Sequence, residues 1–204
     1  MSNAFERAYE AMKTQIAAGS LRAGQHLDLV QLAKTLGVST SPVREALSAL
    51  TAERLVQSIK GVGFHVPAFD YAAVVDLIKW SEHLSVACVR AAGPGSGSSD
   101  VGIPADHVAR TAHLFHLIGR LARNREMTIA LANATSRLHH LHRVEPAVLV
   151  DAANEVQALE RAVEQRSANL SQLLRRYHRR RLAALPKITR QMRSGDSLTY
   201  HFIE

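Results

Sequence analysis

The stretch LAKTLGVSTSPVREALSALTAERLV, residues 32–56, decides the fold of the first part of the chain. It contains two apolar patterns of helical period that meet at Gly37. Glycine suits a tight turn between two crossing helices, because it adopts a left-handed backbone conformation at little cost. The second helix is predicted to begin within residues 39–41, where a hydroxyl can cap free amides, and Pro42 is tolerated in its first turn. The stretch therefore predicts two helices joined by a tight turn.

The flanking sequence adds a helix before this pair and a β-hairpin after it. Residues 5–16 carry apolar side chains at helical spacing, and Asp28 has capping-box spacing to Gln31 at the start of the second helix. The stretch VQSIKGVGFHV, residues 56–66, alternates apolar and polar residues around two glycines, which is typical of two short strands and a tight turn. Three helices followed by a hairpin predict a winged helix-turn-helix domain over residues 1–68.

The strand signals end after Pro67, and residues 69–204 are predicted to form a second, all-helical domain, a bundle of about six helices. A Gly-, Ser- and Pro-rich segment at 91–104 predicts a loop between two of these helices. The predicted helices cover residues 71–92, 106–122, 127–142, 146–165 and 168–185, with a short piece near Thr189. The whole chain is therefore predicted to be mainly α.

The composition is that of a globular protein and favours helices. Of the 204 residues, 47% are hydrophobic and 21% are charged, whereas only 5% are aromatic, and sandwiches and barrels usually contain more aromatic strands. No stretch approaches the roughly 18 uninterrupted apolar residues of a spanning helix, and the first residues lack a secretory signal. The one cysteine, Cys88, excludes an intrachain disulfide and a cysteine-based zinc site. We expect a cytoplasmic protein that does not enter a membrane.

The formal net charge of +7 attracts polyanions such as nucleic acid or an anionic membrane surface, and the helix-turn-helix favours DNA. In this motif the second helix enters the major groove, and its N-terminal residues reach base edges. Arg44 can donate two parallel hydrogen bonds to guanine, whereas hydroxyls and free amides suit phosphate. A lysine beside the wing glycines can reach the backbone or the minor groove. The predicted DNA-binding residues are Ser39, Thr40, Ser41, Arg44, Lys60, Gly61 and Gly63.

With IAAGSLRAGQHL upstream and KGVGFHV downstream, the stretch at 32–56 resembles the GntR family of bacterial regulators, and its PVREAL string is highly specific in this setting. The resemblance covers about the first 68 residues. It implies a homodimer that binds a palindromic operator in double-stranded DNA through Arg44 and the start of its helix, with the wing alongside. The family commonly has arginine where this chain has Thr40, which implies that one contact is altered and that operator preference is shifted.

The helical region, residues 71–185, looks like the FCD ligand-sensing domain that many GntR regulators of the FadR type carry. That domain often binds a metal through an aspartate and three histidines, and the first two ligands lie in a D-x-x-F-H string. Here the string is AHLFH, so His116 matches and Ala112 replaces the aspartate. The later two histidines align with Val156 and His178. Two of the four ligands are missing, so the resemblance implies a degenerate metal site.

The chain has eleven histidines, and neutral imidazole is a common ligand of divalent transition metals. His113 and His116 lie one turn apart on one predicted helix and His178 lies on a later helix, so a site between helices is possible. These three are the predicted effector-pocket residues. Two histidines make a weak metal site, so no cofactor is required, although His116 and His178 could hold zinc or a similar divalent ion. Without a metal they could hydrogen-bond an acidic or polar effector.

Two clusters of basic residues lie in the second half of the chain. His139, His140 and His142 crowd the predicted end of a helix, where cations suit the helix dipole and solvent. The last long helix carries a run of five arginines without an intervening carboxylate, namely Arg175, Arg176, Arg179, Arg180 and Arg181. We expect this run to be a solvated face. Two alternatives stay open, a second phosphate-contacting surface and partial burial opposite an anionic effector.

These features predict a DNA-binding transcriptional regulator and not an enzyme, since no nucleophile with a base, paired carboxylates or phosphate-binding glycine loop is evident. We expect a repressor that a small organic acid or related metabolite releases from its operator. The ligand would act by changing the relative placement of two winged helices in a dimer. The alternatives are a non-specific architectural DNA-binding protein and a metal-dependent hydrolase that uses the histidine-rich helices.

Overall fold

A computed structural model describes residues 3–17, 20–21, 23–92, 102 and 104–197 of the chain. Most of the predicted Gly-, Ser- and Pro-rich loop lies outside these residues. The chain divides into two compact units, Met1–Asp70 and Tyr71–Glu204. None of the helices in the described part of the chain is both long and apolar enough to cross a membrane.

The first unit contains three helices and a small antiparallel sheet. The sheet has the strand order β1-β3-β2, in which β3 pairs with both of its neighbours. The sequence predicted only the β2–β3 hairpin, because a strand of two residues is too short to show an alternating pattern. The elements are α1 (Ala4–Ala17), β1 (His26–Leu27), α2 (Leu29–Leu36), α3 (Thr40–Ala52), β2 (Gln57–Ile59) and β3 (Gly63–His65).

Local sequence explains how α2 and α3 are placed. The carboxylate of Asp28 caps α2 by accepting hydrogen bonds from the amides of Val30 and Gln31. Gly37 ends α2 at φ 64° and ψ 36°, which is the left-handed conformation that the sequence predicted. One apolar core joins the three helices and the sheet, and its largest members include Met12, Ile16, Leu47, Leu50, Leu55 and Phe64.

All regular secondary structure in the described residues of the second unit is helical. It contains α4 (Tyr71–Arg90), α5 (His107–Leu121), α6 (Arg125–Arg137), α7 (His139–Val148), α8 (Ala152–Glu164) and α9 (Leu170–Ser197). The buried face of α9 recurs at spacings of three and four residues, which is the pattern of a helix packed on one side. This face includes Leu170, Leu174, Tyr177, Arg181, Leu185 and Ile188.

Three predicted helix boundaries in this unit are wrong. The helix predicted over 127–142 ends at Arg137, and a new helix begins at His139. Pro146, predicted to start the next helix, lies instead near the end of α7. The last helix continues through Pro186, where the sequence predicted a break. A helix can tolerate an internal proline when the flanking turns are packed, although the proline supplies no amide hydrogen to the helical ladder.

Candidate DNA-binding surface and the buried Arg181 cluster

The amphipathic pattern of α3 leaves the start of this helix facing solvent. Its inner side is fully buried through Val43, Ala46, Leu47 and Leu50. Thr40, Ser41 and Arg44 lie on the other side and are exposed. Thr40 and Arg44 are four residues apart, so they share one face of the helix. The structure thus presents the predicted recognition residues together on an open surface.

The hydroxyl cap predicted for α3 is not formed. Ser39 is the N-cap residue with extended backbone angles, but its side chain makes no capping hydrogen bond. The Ser41 hydroxyl donates to a carboxylate oxygen of Glu45 at 3.3 Å, and no capping hydrogen bond is described for it. Amides at a helix start that no side chain caps can donate to a phosphate, and the helix dipole favours an anion there.

The wing is a tight turn between β2 and β3. Its two glycines have positive φ, 79° at Gly61 and 111° at Gly63, where other residues would be strained. Gly63 is also confined, since a Cβ atom there would lie 3.1 Å from Nε2 of His26 on β1. Lys60 is exposed beside this turn. The glycines therefore fix the wing, and the lysine supplies its positive charge.

The histidines predicted to form an effector pocket lie in different surroundings. His178 is buried in the helical unit, whereas His113 is half-buried and His116 is exposed. Nδ1 of His178 donates to the Leu174 carbonyl at 2.8 Å, and Nε2 accepts from the Ser81 hydroxyl at 3.2 Å. None of the contacts described for His178 involves His113 or His116, which remain predicted pocket residues without a common contact.

The residues present do not fit the metal site that the resemblance suggests. A metal ion would compete with Ser81 for the lone pair on Nε2 of His178. His116, the other matching position, is exposed. In the part of the chain that the structure describes, no three His, Cys, Asp or Glu residues are grouped so that they could hold an ion. Three or more protein ligands are usual for such sites, so we derive no chemistry through a metal.

A buried set of charged residues lies where α5, α7, α8 and α9 meet, and the sequence reasoning missed it. The carboxylate of Glu145 is fully buried. It accepts from Nδ1 of His142 at 2.9 Å, lies 3.4 Å from Nε2 of His107, and accepts from Nη2 of Arg181 at 2.9 Å. Arg181 is only 1% exposed. A buried carboxylate is thus matched by a buried guanidinium, as burial of charge requires.

Further contacts hold Arg181 in place. Its Nη1 donates to the carboxylate of Glu155 and to the Tyr177 carbonyl at 3.2 Å, and its guanidinium carbon lies 3.3 Å from the centre of the Tyr177 ring. The cation–π contact and the two ion pairs together fix the side chain. We call this set of residues the Arg181 cluster: His107, His142, Glu145, Glu155, Tyr177 and Arg181.

The cluster corrects two predictions from the sequence. The run at 175–181 is not a uniform solvated face, because Arg181 is buried and Arg180 pairs with Asp151, whereas Arg175, Arg176 and Arg179 are exposed. The histidines at 139–142 do not crowd a solvated helix end, since His139 and His142 are buried in α7. The apolar stripe of α9 was the available signal, because position 181 continues the spacing of Leu174 and Tyr177.

Burial and charge shift the pKa values of several of these groups. Burial lowers the pKa of His178 to about 4 and that of His139 to about 3, so both rings are neutral near pH 7. Burial by itself would raise the pKa of Glu145, but the charge of His142, hydrogen bonds from His107 and His142, and the charge of Arg181 hold it well below its usual range. Glu145 is therefore a carboxylate at neutral pH.

Three helices, a wing and an exposed helix start define the first unit as a winged helix-turn-helix DNA-binding domain. Residues 4–66 match the family described as bacterial regulatory proteins, gntR family. Residues 4–66 therefore form a domain of this family of bacterial regulatory proteins.

Curated relatives match in the same region. The chain is 32% identical over 71 residues to the uncharacterized HTH-type transcriptional regulator YdhC of Bacillus subtilis (strain 168), a match of 35% of this chain and 32% of that protein. It is 38% identical over 72 residues to the uncharacterized HTH-type transcriptional regulator BphR of Paraburkholderia xenovorans (strain LB400), covering 35% of this chain and 29% of that protein. The matches thus span about a third of each relative's length.

Solved structures resemble the chain over nearly its full length. McbR/YncC of E. coli has a TM-score of 0.69 at 17% identity, with 92% of this chain and 99% of that chain covered. A putative GntR transcriptional regulator from Rhodococcus sp. RHA1 has a TM-score of 0.70 at 17% identity, with 91% and 97% covered. At this identity the likeness establishes the fold, including that of the helical unit.

Proposed function

We propose that this chain is a sequence-specific DNA-binding transcriptional regulator. The observation that carries the proposal is the GntR-family domain at residues 4–66, in which the predicted recognition side chains are exposed together at the start of α3. An exposed arginine on that helix face has the chemistry to read guanine in the major groove. The exposed amides and hydroxyls at the helix start suit the phosphate backbone.

The protein would bind a palindromic operator as a homodimer, with two α3 helices in major grooves about one helical turn apart. Arg44 would make the base contact, and Ser39, Thr40 and Ser41 would position the helix on phosphates. Lys60, with Gly61 and Gly63, would bring the wing close to the backbone or the minor groove. Such a protein works in the cytoplasm, where the chromosome of a bacterium lies.

The helical unit would sense a small-molecule effector and release the operator when the effector binds, which makes the protein a repressor. Release requires that the effector bind the two states of the dimer with different affinities. A small organic acid is the effector class that we propose, because the buried polar side chains of this unit include a permanently charged arginine. We propose no required cofactor.

A DNA-selection experiment tests the function. Operators selected from random duplexes, or taken from the promoter next to the gene, are compared with shuffled duplexes by fluorescence anisotropy at one fixed salt concentration. A regulator should prefer its operator by at least about a thousandfold. An architectural DNA-binding protein would bind operator and shuffled duplex equally, and that result would reject the proposal.

A further inference from the structure

The Arg181 cluster contains polar groups that its own residues do not satisfy. Nε of Arg181, the hydroxyl of Tyr177 and Nε2 of His142 have no hydrogen-bond partner in the described part of the chain. All three side chains are at most 3% exposed. A buried donor without an acceptor costs free energy, so such groups call for an explanation. Nε of Arg181 and the Tyr177 hydroxyl can each donate a hydrogen bond, and the cluster therefore has donors left for another oxygen acceptor.

The two charged partners at the centre of the cluster are held with different firmness. Arg181 lies within the 28-residue helix α9, on its buried face. Glu145 lies in the last turns of the ten-residue helix α7, directly before Pro146. Because proline supplies no amide hydrogen, this turn lacks one bond of the helical ladder. Of the residues that follow, Pro146, Ala147 and Val150 are exposed, whereas Leu149 is buried. Of the two partners, Glu145 is the one that we expect to move when a ligand binds.

We propose that Arg181 anchors an anion-binding site, that Glu145 occupies this site in the free chain, and that a small-molecule carboxylate binds by taking the place of Glu145. This inference rests on the proposed function of the helical unit as a sensor and assigns its site and ligand class. It places the site around Arg181, Tyr177 and His142 and not around His113 and His116.

Exchange of one carboxylate for another keeps the charge of the buried site unchanged. A ligand carboxylate added beside Glu145 would bring two anions together in a medium that screens poorly, whereas replacement avoids this repulsion. The incoming group would accept from Nη2 of Arg181, as Glu145 does now. Its oxygens could also accept from Nε of Arg181 and from the Tyr177 hydroxyl, which Glu145 leaves without a partner. Movement of α7 would then be the first structural response.

Formate is a suitable probe, because it is a bare carboxylate. In the full-length Glu145→Ala variant the built-in carboxylate is gone, and Arg181 lacks one of its two anionic partners. We expect the melting temperature of Glu145→Ala to lie below that of the wild type. Formate should raise this melting temperature more than chloride does at equal ionic strength. The variant should bind formate at least about tenfold more tightly than the wild type, in which Glu145 competes for the site.

Two controls make this result specific. Glu160→Ala removes another carboxylate of the same unit, which Arg110 binds at 2.5 Å, but Arg110 is 23% exposed and water can replace the lost partner. This variant should show no advantage of formate over chloride. In Arg181→Met/Glu145→Ala the anchor is removed as well, and the formate effect should disappear. An equal response to formate and chloride in Glu145→Ala, or a formate effect that survives loss of Arg181, would overturn the proposal.

Glu145→Gln covers the case in which the alanine variant does not fold. Glutamine keeps the volume of the side chain but binds a guanidinium more weakly than a carboxylate does. The affinity of the Glu145→Gln variant for formate should lie between the affinities of the wild type and of Glu145→Ala. If formate stabilises Glu145→Gln no better than it stabilises the wild type, the site is rejected. These assays use the protein without DNA, so their failure is distinct from a failure to discriminate operators.

Discussion

At the scale of single residues, Arg44 and Arg181 show how one side chain acquires two different roles from its place on a helix. Arg44 is exposed on α3, with no hydrogen bond or ion pair described for its side chain, and its guanidinium is available to a partner. Arg181 is buried on α9 between two carboxylates and an aromatic ring. The first arrangement suits recognition of another molecule, and the second stabilises the protein or holds a ligand in a dry site.

Replacement of Arg44 tests the recognition role. Arg44→Ala should reduce the preference for the operator over shuffled duplex by about 1–3 kcal/mol per half-site, because it removes one bidentate base contact from each half-site. Most of the salt-dependent, non-specific affinity should remain, since phosphate contacts supply it. Competition binding at several salt concentrations measures both quantities.

Arg7→Ala is the matched control for this measurement. Arg7 is an exposed arginine of α1 in the same unit, so the variant loses the same charge. It should keep the preference for the operator. An equal loss of affinity for every duplex in Arg44→Ala would show that Arg44 contacts phosphate only.

The buried histidines predict how stability depends on pH. The pKa of His178 is lowered by burial to about 4, so the unfolded chain binds a proton more readily than the folded chain. The stability that the neutral His178 ring contributes is therefore fully present above the histidine pKa of the unfolded chain, near 6.5. It is lost as the pH falls from there towards about 4. One pKa unit corresponds to about 1.4 kcal/mol, so the free energy of unfolding should fall by a few kcal/mol over this range.

Urea unfolding at several pH values between neutrality and the onset of carboxyl titration measures this effect. His178→Gln should show a shallower decline than the wild type, because it removes one titrating group. Glu145 does not contribute to this decline. Because its pKa is lowered in the folded protein, the stability that it provides is lost only at pH values below the usual glutamate pKa. Identical pH profiles for the two proteins would show that His178 does not titrate as its burial requires.

At the scale of elements, the α2–α3 turn connects backbone conformation to the presentation of the recognition helix. Gly37 has φ 64°, and a Cβ atom added there would meet nothing within 4 Å. Any cost of a side chain is therefore conformational and not steric. The turn sets the direction in which α3 leaves α2, and α3 carries the side chains proposed to read DNA.

Gly37→Ala should destabilise the protein by about 1–2 kcal/mol, the usual cost of a left-handed conformation for a residue with a Cβ atom. Gly37→Asn should cost less, because asparagine tolerates this conformation better. Denaturant midpoints of the two variants and the wild type, with unchanged slopes, measure the difference. If alanine and asparagine cost the same, the left-handed backbone is not the cause.

At the scale of the whole molecule, the two units differ in how closely sequence determines their chemistry. The first unit matches a family over nearly its full length, residues 4–66. The second resembles solved regulators in fold, but two of its four expected metal ligands are Ala112 and Val156. Its polar interior is instead organised around Arg181 and Glu145. We therefore expect sensing to depend on this ion pair and not on a metal.

Added zinc, nickel or manganese should leave the melting temperature of the full chain nearly unchanged, and a chelator should not lower it. A metal raises the melting temperature only if it binds the native state. Nε2 of His178, which a metal would need as a ligand, already accepts a hydrogen bond from Ser81. Thermal-shift titrations measure the effect. A large zinc-dependent rise that is lost in both His116→Ala and His178→Ala would show that a metal site exists.

Much of this protein follows from local sequence alone. The spacing of apolar residues predicted the three helices of the first unit and the helical nature of the second. The glycine at position 37 predicted the left-handed turn between α2 and α3. These features depend on interactions within a few residues, which a sequence displays directly. The exposed positions of Thr40 and Arg44 follow from the same periodicity.

Only the tertiary structure decided the features that join distant parts of the chain. Strand β1 exists because two residues pair with β3, and the continuity of α9 through Pro186 accompanies burial of Leu185 and Ile188. The Arg181 cluster brings together residues from 107 to 181 on four helices. In sequence, Arg181 is one arginine among five. Its role depends on which side of α9 is buried and on the carboxylates that three-dimensional packing places against it.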